Sequence, residues 1–140
     1  MAIDRQHLGY ALPVFTVAVT AERIQAFRSA IGETATDRDA PAPPTFMKAV
    51  EGEHNSSRRI LEALGVDLRR VLHAEQQFEY LAPIRPGDTL QVERRVAELY
   101  DKKDGAMEFI VVESSVRRDD GTVVGTSRQV VLVRHPRTPA

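Results

Sequence analysis

The spacing of hydrophobic positions changes once along the chain and divides it into two parts. Val14 to Val19 (VFTVAV) is short, apolar and rich in β-branched residues, so it predicts a first strand. Thr20 follows, where its hydroxyl can accept a bond from a free N–H of a first helical turn. Ile24, Phe27 and Ile31 then recur at helical spacing and Gly32 ends the run, which predicts an amphipathic helix with those three residues in the core. Residues 33–44 are polar, then Pro-rich, and read as a loop. Pro44 suits a first helical turn, where a missing N–H leaves nothing unpaired, so Thr45 to Glu51 predicts a short helix. Asn55 or Ser56 then caps another, with Ile60, Leu61 and Leu64 on one side and Gly65 at its end.

From Leu72 onward the period is two. Phe78 and Tyr80 share a face of one strand; Leu90, Val92, Arg94 and Val96 share a face of the next, which runs towards Tyr100. Pro83, Pro86 and Gly87 separate the two, because none suits the interior of a central strand. Asp88 opens the second strand and fixes a tight bend by accepting a nearby N–H. KKDG (102–105) and DDG (119–121) are turn signals that bound strands from Met107 to Val116 and from Thr122 to Arg134. Val130 to Val133 is apolar on both faces, as in a central strand or one at an interface. Residues 135–140 read as a flexible tail. The expected architecture is α+β: one strand, helices, then an antiparallel meander of four long strands. A sheet with one apolar face needs cover, and the helical segment is what can supply it. The expectation is a single domain over residues 1–140 in which a curved sheet wraps a central helix.

Composition narrows the chemistry. A chain of 140 residues is the size of one domain, and with no cysteine it has neither disulfide nor thiolate nucleophile. A formal net charge of −1 argues against nucleic acid as a partner. No apolar run approaches the ~20 residues that span a bilayer, and the N-terminal segment lacks an apolar signal core, so a soluble cytoplasmic protein is expected. Arg pairs at 58–59, 69–70, 94–95 and 117–118 read as solvated faces and element ends. The competing reading is that one pair meets the phosphates of a pantetheine-bearing ligand. No His or carboxylate spacing suits a metal, and no cofactor is expected.

Three segments in order, APPTF (42–46), LHAEQQFEY (72–80) and RPGDTL (85–90), resemble the MaoC-like dehydratases of the FAS1-like branch. The resemblance covers roughly Val14 to Arg134. It implies a hotdog fold paired with a second hotdog, as a homodimer or a heterodimer. It implies acyl-CoA or acyl-carrier-protein thioesters as ligands. The implied reaction is reversible hydration of a trans-2-enoyl thioester, or dehydration of its 3-hydroxyacyl form. A hotdog thioesterase is an alternative.

Active relatives place an Asp after the first helix and a His five residues later, with thioester-oxyanion donors at the start of the central helix. Here Glu33 falls at the Asp position and Arg38 at the His position. A guanidinium stays charged and cannot act as a base. The loop before APPTF is also shorter than in those relatives. Pro43 and Pro44 have no N–H, which leaves Thr45, Phe46 and later residues as donors. His73 and Glu75, two apart on a strand and so on one face, are a substitute acid–base pair. The competing reading is that they and Gln76 satisfy backbone groups at the helix–strand junction. The candidates are therefore Glu33, His73 and Glu75 for proton transfer, and Thr45, Phe46, Arg38 and Gln76 for substrate contact. Because the usual dyad is replaced, two roles stay open: an enzyme with a rearranged site, or an acyl-binding subunit whose partner supplies the Asp and His.

Overall fold

A computed structural model describes residues 3–33 and 37–136. Its strands are β1 (Phe15–Ala18), β2 (Val71–Tyr80), β3 (Thr89–Lys102), β4 (Met107–Arg118) and β5 (Val123–Arg134), and its helices are α1 (Ala21–Ala30), α2 (Phe46–Glu51) and α3 (Ser56–Ala63). All strands lie in one antiparallel sheet, in the order β1-β3-β4-β5-β2. β2 is thus not the first strand of a meander. It forms the far edge, paired with β5 from Val71↔Val133 to Tyr80↔Gly125. The reason lies in residues 81–88. Pro83 and Pro86 cannot donate to a hairpin ladder, and the segment crosses from one sheet edge to the other. Its backbone is satisfied along the way. The N–H groups of Leu81 and Ala82 bond to Val124 O at 2.8 and 3.1 Å, Ile84 O accepts from Ala42, and Gly87 N–H reaches Val19 O at 2.8 Å. Asp88 Oδ2 accepts from the Arg85 N–H at 2.8 Å, the bend expected of it.

Thr20 caps α1 through its hydroxyl, which accepts from the Arg23 N–H at 3.1 Å. Ile24 is fully buried and Phe27 packs on the core, but Ile31 is 49% exposed because α1 has ended before it. The helix inside the curved sheet is two short pieces, α2 and α3, joined across a kink at which His54 and Asn55 take positive φ. Asn55 makes no capping bond with its side chain. Ser56 instead turns back and donates to Glu51 O, closing the end of α2.

The interior is divided. Phe46, Met47 and Val50 of α2 pack with Leu90, Val92, Val116 and Val124 in one cluster. Ile60 and Leu61 of α3, with Leu64 just past its end, pack with Val96, Ile110, Val112, Val131 and Val133 in another. Between them runs a belt of buried polar groups. Arg94, Ser114 and Ser127 are direct neighbours across β3, β4 and β5, with Gln129 and Gln76 beside them on β5 and β2. Arg94 is 1% exposed and so belongs to no solvated face. It donates to Ser114 Oγ (2.9 Å), Ser56 Oγ (2.8 Å), Ser57 Oγ (2.7 Å) and Gln129 Oε1 (2.8 Å). Glu51, fully buried, accepts from Ser127 and from Lys48 Nζ at 3.3 Å. Burial pulls the Arg94 guanidinium below its usual range and the Glu51 charge pushes back.

Candidate functional site

The structure separates the two positions at which the resemblance expects an acid–base pair. Glu33 lies exposed just past the end of α1, with its carboxylate 3.6 Å from the buried guanidinium of Arg28. Arg38 is tied at 2.6 Å to Glu22 on α1, not to its neighbours Asp37 and Asp39. Asp37 instead accepts the Asp39 N–H at 2.9 Å. Residues 34–36 of this loop lie outside the described residues.

His73 and Glu75 do not form a pair either. They stand opposite Val131 and Val130, consecutive residues of β5, because a bulge occupies Ala74. Adjacent strand positions face opposite sides. Val131 belongs to the inner cluster, so His73 shares the inner face and Glu75 the outer one. The His73 ring meets Gln76 Oε1 at 3.1 Å, while Gln76 Nε2 is buried with no acceptor among the described residues.

At the start of α2 the resemblance expects donors. Phe46 is 2% exposed and packs edge-on against Phe27 at 5.4 Å, so its ring belongs to the core and not to a ligand surface. Its N–H is taken by Pro43 O at 2.9 Å. Thr45 is exposed beside Pro44, and its side chain makes no capping bond. The residue that governs this corner is Tyr80, whose hydroxyl donates to Pro44 O. Burial pushes its phenol up to about 12, aided by the Glu51 charge and opposed by the Met47 N–H. Tyr80 is therefore a neutral donor at physiological pH. It lines an open cleft of about 410 Å³ with Ala42, Pro44, Leu81, Ala82 and Pro83, nearly all apolar. Gly125 lets this corner close. A Cβ there would stand 2.3 Å from Glu79 O and 3.0 Å from Met47 Cε.

A second cleft, about 380 Å³, opens at the other end of β2. Arg69, Arg70, Leu72, Arg134 and His135 line it. Asp67 holds Arg69 at 2.9 Å and Arg70 at 3.7 Å. The Arg69 guanidinium is the main cause that lowers the Asp67 carboxyl to about 2. His135 is not part of a loose tail. Its N–H bonds to Ala106 O at 2.9 Å and its ring meets the buried Glu108 carboxylate at 2.6 Å. Residues 137–140 lie outside the described ones.

Sequence reasoning missed Tyr80, Arg94, Glu51 and Lys48 as structured polar groups. The signal for Arg94 was present, since the alternation Leu90, Val92, Arg94, Val96 already places it on the apolar face. Among the described residues no helix is long and apolar enough to cross a membrane.

Comparisons with known proteins agree with this architecture. The chain is 30% identical over 148 residues to a UPF0336 protein of Thermobifida fusca, covering 96% of this chain and 95% of that one. Among solved structures it resembles the HadBC (3R-hydroxyacyl-ACP dehydratase) complex of Mycobacterium tuberculosis, with TM-score 0.73 and 17% identity over 90% of this chain and 96% of that one. It also resembles the ChsH1-ChsH2 complex of the same organism, with TM-score 0.68 and 14% identity over 93% and 87%. Residues 6–127 match the sequence model of the FAS1-like dehydratase domain region. With that match across most of its length and the antiparallel sheet curved around α2 and α3 in a hotdog fold, this chain belongs to the FAS1-like dehydratase domain family.

Proposed function

We propose that this chain is the acyl-binding subunit of a two-subunit hotdog hydro-lyase acting on enoyl or 3-hydroxyacyl thioesters of CoA or a carrier protein. The observation that carries the reading is the state of the two dyad positions. Glu33 and Arg38 are spent in separate ion pairs with Arg28 and Glu22, and Glu75 lies on the face of β2 opposite His73. Hydration of a 2-enoyl thioester needs a base to take a proton from water as its oxygen adds at C3, and an acid to protonate C2. In this reading a second hotdog supplies both groups. This chain offers its free β2 edge for pairing and the apolar cleft by Tyr80 for the acyl chain. That two of its structural neighbours are complexes of unlike subunits supports the assignment.

The test is hydration of crotonyl-CoA. The purified chain alone is expected to be inert, and to gain activity when co-expressed with a hotdog chain that carries an intact Asp-x₄-His. Turnover by the chain alone that disappears in Glu33→Gln or His73→Ala overturns the reading and makes it a self-sufficient enzyme.

A further inference from the structure

We infer that the outer face of the sheet carries a docking patch for a second copy of this chain, and that the two copies stack back to back across the row Leu72, Leu132, Phe109 and Tyr100. The inference goes beyond the function proposed above and stands without it. The sequence marks β5 as apolar on both faces from Val130 to Val133, and the interior accounts for one of them. Val131 and Val133 belong to the inner cluster under α3, so Val130 and Leu132 face out. Among the described residues, Val111 and Val130 are the two buried apolar side chains that belong to neither inner cluster. They stand opposite each other on β4 and β5. The helices place their buried apolar side chains in the inner clusters, so this outer apolar set is separate from the packing that holds the chain together.

Register decides what this face fits. Leu72 pairs with Leu132, Leu132 with Phe109 and Phe109 with Tyr100, which makes one apolar row straight across four strands. Leu72 is exposed and the other three are half-buried, with the Tyr100 and Phe109 rings stacked at 4.9 Å. The next row on one side is Glu75, Val130, Val111 and Glu98. The next row on the other side is Arg134, Met107 and Lys102, with Arg70 beside Arg134 in the cleft at the start of β2. The apolar row is thus bordered by acids on one side and by cations on the other. A two-fold axis along the row lays it upon itself in the second copy. The same rotation sets Val111 over Met107, Glu98 over Lys102, and Glu75 over Arg70 and Arg134. Stacked sheets lie about 10 Å apart, a gap that long charged side chains bridge. Further along this face the charges are spent within the chain, in the cross-strand pairs Arg95–Glu113 and Arg117–Glu93. Glu75, Lys102 and Arg134 have no ion pair among the described residues, and Glu98 gives only Oε2 to Arg128.

Four strands at ~4.8 Å and three rows at ~6.8 Å give a patch of roughly 400 Å² on each copy, about 800 Å² in all. That is below the size of a tight complex, so the dimer is a dissociable one. It uses the back of the sheet and leaves the β2 edge to an unlike subunit. The test is sedimentation equilibrium of the full chain from roughly 1 μM to 1 mM, the span of weak complexes. The parent is expected to pass from monomer to dimer within it. Glu98→Lys sets Lys against Lys at both ends of the contact, and Lys102→Glu sets Glu against Glu. Each should weaken association at least about tenfold, because like charges are brought together. An equimolar mixture of the two variants restores opposite charges at both places and should associate like the parent, which also shows that both variants are folded. Glu79→Lys, an equal charge change at the far end of the same face, should leave association intact. A parent that stays monomeric to 1 mM overturns the inference. So does a dimer indifferent to Glu98→Lys and Lys102→Glu, which is held by another surface, or a mixture that associates no better than the single variants.

Discussion

Replacing Arg94 with leucine is the most direct probe of how this core is held. Arg94 donates to three serine hydroxyls at 2.7–2.9 Å, to Gln129 Oε1 at 2.8 Å and to Glu51 O at 3.3 Å. Several of these acceptors have other recourse. Ser57 is only partly buried, Gln129 Oε1 also receives Lys48 at 3.3 Å, and Glu51 O also receives Ser56. Ser114 and the hydroxyl acceptance of Ser56 are left to rotate in a dry site, at about 1–3 kcal/mol for groups so stranded. The larger loss is electrostatic. Glu51 is fully buried, and without Arg94 its charge is balanced by Lys48 alone. Removing one member of a buried charged network typically costs about 3–5 kcal/mol, and we expect Arg94→Leu to fall in that range. For a domain of this size that lowers Tm by roughly 10–20 °C. Arg94→Lys keeps the charge but has three donors instead of five, so a loss of about 1–3 kcal/mol is expected. The assay is urea unfolding at neutral pH, with the Arg94→Leu/Glu51→Leu double variant closing a mutant cycle. The double variant should be less destabilised than the sum of its parts. An Arg94→Leu loss below about 1 kcal/mol, or strict additivity, refutes the reasoning.

Other expectations follow from the same geometry. Gly125→Ala places a Cβ 2.3 Å from Glu79 O, so the end of β2 must part from β5. The cost should be about 3 kcal/mol or more by urea unfolding, with faster amide exchange at Leu81 and Ala82 as the local signature. Tyr80, raised to about 12 from an ordinary 10, adds stability that is complete below pH 10 and is lost as pH rises through 12. Its tyrosinate absorbance should therefore appear last, together with unfolding, and be absent in Tyr80→Phe. Asp67, lowered from 3.8 to about 2, contributes above pH 4 and loses its contribution as pH falls through 2. Carboxyl chemical shifts should show it titrating at about 2, and Arg69→Gln, which removes the main cause but keeps the backbone bond and Arg70, should raise it part of the way back.

Local chemistry was the part of the fold open to reading. Thr20 as a cap, the KKDG and DDG turns, and the alternation of Phe78 with Tyr80 and of Leu90 with Val92, Arg94 and Val96 are written in neighbouring residues, and the structure follows them. Strand order was not, because the partner of β2 is β5, about fifty residues further along the chain, and β2 itself carries no mark of that choice. The bulge at Ala74 is similarly silent in the sequence, and one inserted residue moved Glu75 to the face opposite His73. The site fared likewise. Glu33 and Arg38 align with a dyad, but their partners, Arg28 and Glu22, come from α1 and were not foreseen. Phe46 was expected as an N–H donor at the start of α2, whereas its N–H is taken by Pro43 O and its ring packs on Phe27 in the interior.

The polar belt also bears on how this protein can vary. Apolar side chains on its two sides fall into separate clusters, so a change of volume near Met47 and Val124 has no neighbours among Ile60, Ile110 or Val131 to disturb. In the acyl-binding role proposed above, the half that borders the Tyr80 cleft can be refitted to a different tail length while the half under α3 keeps its packing. Such refitting leaves one of the two clusters as it was.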